Sequence, residues 1–116
     1  PRTHPTLGIQ QFHDGLDIAA PRGTPIFAPA DGKVDEVIRH YRPNDGYGMQ
    51  ILIDHGNGIK TRYAHLKHID VRVNEEVTRF TQIGRVGDSG RTTGPHLHYE
   101  VIVNGDHKNP VHYIFE

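Results

Sequence analysis

Gly and Pro divide this chain into segments that are short for helices and well sized for strands. The 13 Gly and 8 Pro of its 116 residues recur at short intervals from end to end, and both residue types bend or stop regular backbone. Between them, Val and Ile number 20 against 10 for Ala plus Leu. β-Branched side chains fit a pleated surface and crowd a helix, so many short strands joined by turns are expected, in an all-β sandwich or barrel. The length suits one domain. Residues 1–116 are therefore expected to form a single domain. The start at Pro1, with no charged leader or apolar signal segment, suggests part of a longer product.

Composition removes several functions at once. With 0 Cys, a disulfide scaffold, a Cys-type zinc finger, an iron–sulfur site and a thiol nucleophile are all excluded. The 13 Lys+Arg nearly balance 14 Asp+Glu, for a net charge of -1 without a basic cluster, so a nucleic-acid partner is not expected. No apolar run approaches the ~18 residues that cross a bilayer, and no membrane contact is expected from this domain. What stands out is 10 His.

Along the chain, residues 1–31 read as extended and turn-rich. Strands are expected at Gly32 to Tyr41, Met49 to His55, Ile59 to His65 and His96 to Val103, with a hairpin turn at Gly56-Asn57-Gly58. Residues 71–82 are ambiguous: NEEVTRF could make one helical turn, but Val71 and Val73 alternate as in a strand. The stretches 41–48 and 88–95 are glycine-bearing loops that allow close backbone approach to a ligand. In HLHYEVIV, a period of 2 places Leu97, Tyr99, Val101 and Val103 on a core face and His96, His98, Glu100 and Ile102 on the other.

Three histidine signals bear on chemistry. His96 and His98 lie roughly 6.5 Å apart along one strand face, close enough to serve one site; alone, the pair equally describes a solvated polar face. His13 and Asp17 sit in HDGLD. A straight strand would hold them roughly 13 Å apart, so only a turn or bulge at Asp14-Gly15 brings both to one ion. His65 ends the segment YAH, where a half-buried strand-end histidine is the plain alternative. Taken together, the three signals supply two imidazoles and a carboxylate for a metal, with two more imidazoles to spare. Such a set leaves a fourth tetrahedral position open, as catalytic zinc sites do.

In this order, His13-x-x-x-Asp17, Tyr63-Ala64-His65-Leu66 and Thr93-Gly94-Pro95-His96-Leu97-His98-Tyr99-Glu100 resemble the lysostaphin-type (LytM-like) zinc peptidases that cut peptidoglycan cross-links or bridges. Supporting text includes Arg2-Thr3-His4-Pro5, Gly15 to Pro21, Ala30 to Val34 and Ile83 to Gly90. The resemblance implies an antiparallel β fold of the duplicated-hybrid-motif type with a groove over the central sheet. It also implies one Zn2+ held by His13, Asp17 and His98, with His65 and His96 as the catalytic pair. Peptidoglycan peptide stems would be the substrate and the cell envelope the place of action. Either of the pair could take the water proton while the other orients the water or steadies the oxyanion. Glu100 carries no implied role and reads as a partner behind a ligand or as a solvent-facing carboxylate.

Two positions depart from the family pattern, Asn74 and Phe80, where Gly is usual. Asn tolerates a left-handed backbone and Phe does not, so the turn at Phe80 is left open while the site residues are unaffected. The remaining histidines, His4, His40, His55, His68, His107 and His112, read as surface or satisfied loop residues. Tyr41, Tyr47 and Tyr63 are candidates for the groove or for the core. The alternatives in function are a non-catalytic module that activates another cell-wall hydrolase, and a zinc hydrolase acting on a small amide or on protein.

Overall fold

The computed structural model describes residues 2–4, 9–11, 15–40, 46–90 and 94–108, the first two segments by their backbone pairing. Eleven strands run in chain order: β1 (Arg2–His4), β2 (Ile9–Gln11), β3 (Leu16–Ala19), β4 (Pro25–Phe27), β5 (Gly32–Ile38), β6 (Met49–Gly56), β7 (Ile59–Ile69), β8 (Glu76–Val77), β9 (Gln82–Val86), β10 (His96–Val103) and β11 (Asp106–Lys108). All pairings are antiparallel, in the order β1-β2-β3-β10-β7-β6-β5-β8, with β11 on β10 and β9 joining β4 to β7. Among the described residues there is no helix.

β7 organises this arrangement. Its first half pairs with β10, from Val103↔Ile59 to His98↔Ala64, while its last residues pair with β9 at Leu66↔Val86 and Ile69↔Gly84. A bulge between Leu66 and His68 marks the change of partner, and bulges bend a strand and sharpen its twist. The β4–β9 pair thereby covers one face of the central strands. The buried cluster joins Ile26, Ala28, Ile83 and Val86 to Ile51, Ile53, Tyr63 and Leu66. Tyr63 is thus a core residue, at 2% exposure. The opposite face of β3, β10 and β7 is left to polar side chains.

The turns follow sequence chemistry in most places. Gly56-Asn57-Gly58 closes the β6–β7 hairpin with φ of 85°, 55° and 79°, which Gly and Asn accept most readily. Asn104-Gly105 does the same between β10 and β11, at φ 51° and 86°. The ambiguous 71–82 stretch contains no helix. It holds two four-residue turns, closed by Glu75 N–H to Arg72 O at 3.1 Å and Thr81 N–H to Thr78 O at 3.0 Å.

Asn74 and Phe80 occupy the third positions of these turns, at φ 71° and 74°. The turn that the sequence leaves open at Phe80 is the left-handed one, kept despite the Cβ. Phe80 N–H donates to Ala28 O at 2.9 Å, Arg79 N–H to Asp31 Oδ1 at 2.8 Å and Thr78 N–H to Thr81 Oγ1 at 3.1 Å. These bonds hold the backbone regardless of the side chain, which stays 70% exposed with the Arg79 guanidinium 4.7 Å from its ring centroid.

Candidate active site

The antiparallel register sets the site. β10 lies between β3 and β7, with His98 opposite Asp17 on one side and Ala64 on the other. Asp17 Oδ1 is 2.6 Å from His98 Nδ1 and 3.6 Å from His96 Nε2. The His65 ring lies 4.8 Å from the His96 ring and 6.0 Å from that of His98, between centroids. Four of the five expected site residues, Asp17, His65, His96 and His98, thus meet on one sheet face. The fifth, His13, lies outside the described residues, as does Asp14.

His65 reaches the cluster by an unusual backbone. It follows Ala64 at φ 64°, a left-handed conformation that is disfavoured for side chains with a Cβ. Two loops hold it there. His65 N–H donates to Tyr47 O at 2.8 Å, and its Nδ1 donates to Ser89 O at 2.7 Å. Ser89 is itself tied to both neighbouring strands: Oγ donates to Leu66 O at 2.6 Å and accepts Met49 N–H at 3.0 Å. The described parts of the 41–48 and 88–95 loops therefore act on the histidines.

Carbonyl oxygens only accept hydrogen bonds, which fixes ring states. His65 Nδ1 faces Ser89 O, and His96 Nδ1 faces Gly94 O at 2.9 Å. Each of these rings must carry its proton on Nδ1, so when neutral each presents Nε2 as an acceptor. Burial pushes the His65 pKa down, with the His96 and His98 charges adding to this against the pull of Ser89 O. Its lone pair thus stays available at lower pH than that of a free imidazole.

His98 has the reverse orientation. Its Nδ1 faces Asp17, and its Nε2 lies 2.9 Å from Glu100 Oε2. Burial disfavours a charged His98, yet hydrogen bonds to Asp17 and Glu100 outweigh it and raise the pKa to about 9. The ring is held between two carboxylates, one facing each nitrogen.

Glu100 is wholly buried, which removes its solvent-facing reading. Burial raises its pKa, but hydrogen bonds from His98, Tyr47 and His107 and the nearby positive charge bring it down to about 2. Tyr47 stacks on His98 with 5.7 Å between ring centroids and donates its hydroxyl to Glu100 Oε2 at 2.5 Å. His107, read from sequence as a surface or loop residue, donates to Glu100 Oε1 at 3.0 Å. Sequence reasoning missed the Asn104-Gly105 turn that folds β11 back and aims His107. An Asn-Gly pair after an alternating strand was the available signal.

Gly15, between His13 and Asp17, admits this close packing. A Cβ there would lie 2.7 Å from Tyr99 O and 2.9 Å from His98 Cε1. The other histidines are placed more plainly: His55 contacts Asp31 O and Thr61 Oγ1, and His68 pairs with Asp70. Tyr41, His112 and the side chain of His4 lie outside the described residues.

The donors suit zinc chemically. A carboxylate and an imidazole nitrogen converge, and the far nitrogen of that imidazole rests on a second carboxylate, the usual support for a metal-bound histidine. With His13 undescribed, no group of three donors arranged for an ion is found among the described residues.

An all-strand antiparallel fold with three imidazoles and a carboxylate converging on one face is the build of a metallopeptidase domain. A model described as Peptidase family M23 matches residues 11–110, and the chain belongs to that family, the lysostaphin-type family its motifs resemble. A DD-carboxypeptidase/endopeptidase of Neisseria meningitidis is 46% identical over 110 residues, covering 95% of this chain and 24% of that protein. A peptidoglycan DD-endopeptidase of Vibrio cholerae is 45% identical over 109 residues, covering 94% and 24%. The crystal structure of a zinc-containing peptidase from Vibrio cholerae superposes with a TM-score of 0.75 at 40% identity, over 84% of this chain and 29% of that one. The chain thus spans about a quarter of the length of the curated relatives it matches.

Proposed function

We propose that residues 1–116 form one catalytic domain of a longer protein, a zinc-dependent endopeptidase that hydrolyses peptide cross-links of bacterial peptidoglycan in the cell envelope. The observation that carries this reading is the opposed orientation of the imidazoles. His98 turns Nδ1 toward Asp17, while His65 and His96 keep Nδ1 on backbone carbonyls. One ring is set to bind a metal and two are set to exchange protons beside it. The relatives named as DD-endopeptidases favour a cross-link between D-centres over a glycine bridge.

His13, Asp17 and His98 would hold the ion. Bound zinc supplies Lewis acidity, polarising the scissile carbonyl and making water nucleophilic near neutral pH. His96, whose Nε2 lies 3.6 Å from Asp17 Oδ1, accepts the water proton. His65, held neutral by burial, orients the water or steadies the developing oxyanion, and the pair returns a proton to the leaving amine. The bond from Nδ1 to Ser89 O holds the His65 ring in place.

Incubation of purified sacculi with the domain, with and without chelator, followed by mass analysis of released muropeptides, tests the reading. Chelator-sensitive cleavage at the D-alanine cross-link is expected, with ordinary proteins left intact. His65→Ala and His96→Ala should each retain zinc and lose roughly 10²- to 10⁴-fold in turnover; His13→Ala, Asp17→Ala and His98→Ala should lose zinc and activity together. Full zinc retention in His98→Ala would overturn the ligand set. Absence of product from every common peptidoglycan type would favour a non-catalytic activating module.

A further inference from the structure

The reaction assigned above leaves one buried charge unused. Glu100 sits two residues past His98 on the same face of β10, and its oxygens meet donors from three other parts of the chain. Tyr47 and His98 converge on Oε2, at 2.5 and 2.9 Å. His107 reaches Oε1 at 3.0 Å, and Arg62 Nε lies 3.1 Å from the same oxygen as an ion-pair contact without hydrogen-bond alignment. A carboxylate offers about four lone-pair directions; three of them take hydrogen bonds here, spread over both oxygens, which holds the group in one orientation.

The neighbours are themselves braced. Arg62 Nη1 donates to Gln50 Oε1 at 2.5 Å, and its guanidinium lies 4.8 Å from the centroid of the Tyr47 ring. Tyr47 stacks on His98, and Gly15 closes against His98 Cε1. A buried glutamate needing only charge compensation would be satisfied by Arg62 and His107. The Tyr47 and His98 contacts on the other oxygen point toward the site.

We propose that Glu100 is a positioning residue for His98: it accepts a hydrogen bond from Nε2–H and so commits the ring to present Nδ1 beside Asp17. Tyr47, Arg62 and His107 fix Glu100 for that task. The inference rests on the reading of His98 as a metal ligand, and the test separates the two. In zinc competition against a chromophoric chelator, Glu100→Gln should bind roughly 10- to 100-fold more weakly than the wild type, as partners behind a metal-bound histidine typically do. Tyr47→Phe, which removes one neutral hydroxyl and spares the charge, should weaken binding by a smaller factor. In ¹⁵N-edited spectra of the metal-free protein, the hydrogen-bonded His98 Nε2–H signal should be present in the wild type and lost in Glu100→Gln.

Zinc affinity within about twofold of wild type in Glu100→Gln, or an unchanged Nε2–H signal, would overturn the proposal. Should Glu100→Gln fail to fold, unchanged affinity and an unshifted signal in Tyr47→Phe would do the same. Failure of the wild type to take up zinc would count against the function proposed above, and the imidazole signal would still decide the role of Glu100.

Discussion

Phe80 holds a backbone angle that costs a residue with a Cβ roughly 1–2 kcal/mol, at φ 74° and with its ring largely exposed. Glycine would relieve that strain while adding roughly 0.4–1 kcal/mol of unfolded-chain freedom. Phe80→Gly should therefore raise stability by about 0.5–1 kcal/mol, read as a higher urea midpoint at unchanged slope. A lower midpoint would show that stacking with Arg79 outweighs the strain. Glu100 gives a second expectation at this scale. Its pKa falls from 4.5 to about 2 on folding, so the stability it contributes is complete above pH 4.5 and is lost as pH drops toward 2. His98 is charged in both folded and unfolded chains throughout that window, because its folded pKa is about 9. The stability difference between metal-free wild type and Glu100→Gln should narrow as pH falls from 4.5 to 2, measured by denaturant titration. The motifs made Asp17, His65, His96 and His98 legible as site candidates, because residue type and spacing carry that chemistry. Arg62 and His107 were not legible, and Tyr47 was read only as a groove or core candidate: each meets Glu100 through register and turn geometry that no single residue announces.

At the scale of elements, the long central strands could be read and the short early ones could not. β6, β7 and β10 each offer eight or more residues, enough for alternation and flanking turn residues to register. β1 to β4 offer three or four each, too few for a period to emerge from a Pro- and Gly-rich background. Alternation also fails in β6, where Gln50, Ile51, Leu52 and Ile53 are all buried, because the sheet is covered on both faces there. The Ser89 link shows how elements cooperate around the site. Ser89→Ala would remove both bonds that tie its loop to Met49 and Leu66, at a cost of roughly 1–2 kcal/mol. Loss of hydrogen-exchange protection at the Met49 amide and a fall in turnover are expected together. Full activity with lost protection would show that the Ser89 carbonyl holds His65 without that brace.

For the whole molecule, a metal bound only by the folded chain adds stability. Zinc at a hundredfold its Kd would contribute about 2.7 kcal/mol, so chelation should lower the melting temperature by on the order of 10 °C. His98→Ala should melt at one temperature with or without chelator. A wild-type midpoint indifferent to chelator would count against a zinc domain. The order of strands carries one more consequence. β10, the tenth of the eleven described strands in chain order, slots between β3 and β7, and the Asp17–His98 contact spans 81 positions. Such long-range pairing closes late, after the entropy of the intervening loop has been overcome. A chain emerging during synthesis therefore carries its early strands without a site until β10 has been made and inserted. Under the proposed function, a copy truncated before β10 lacks His96 and His98 and so has no complete site, and competence to cut arrives only with completion of the fold.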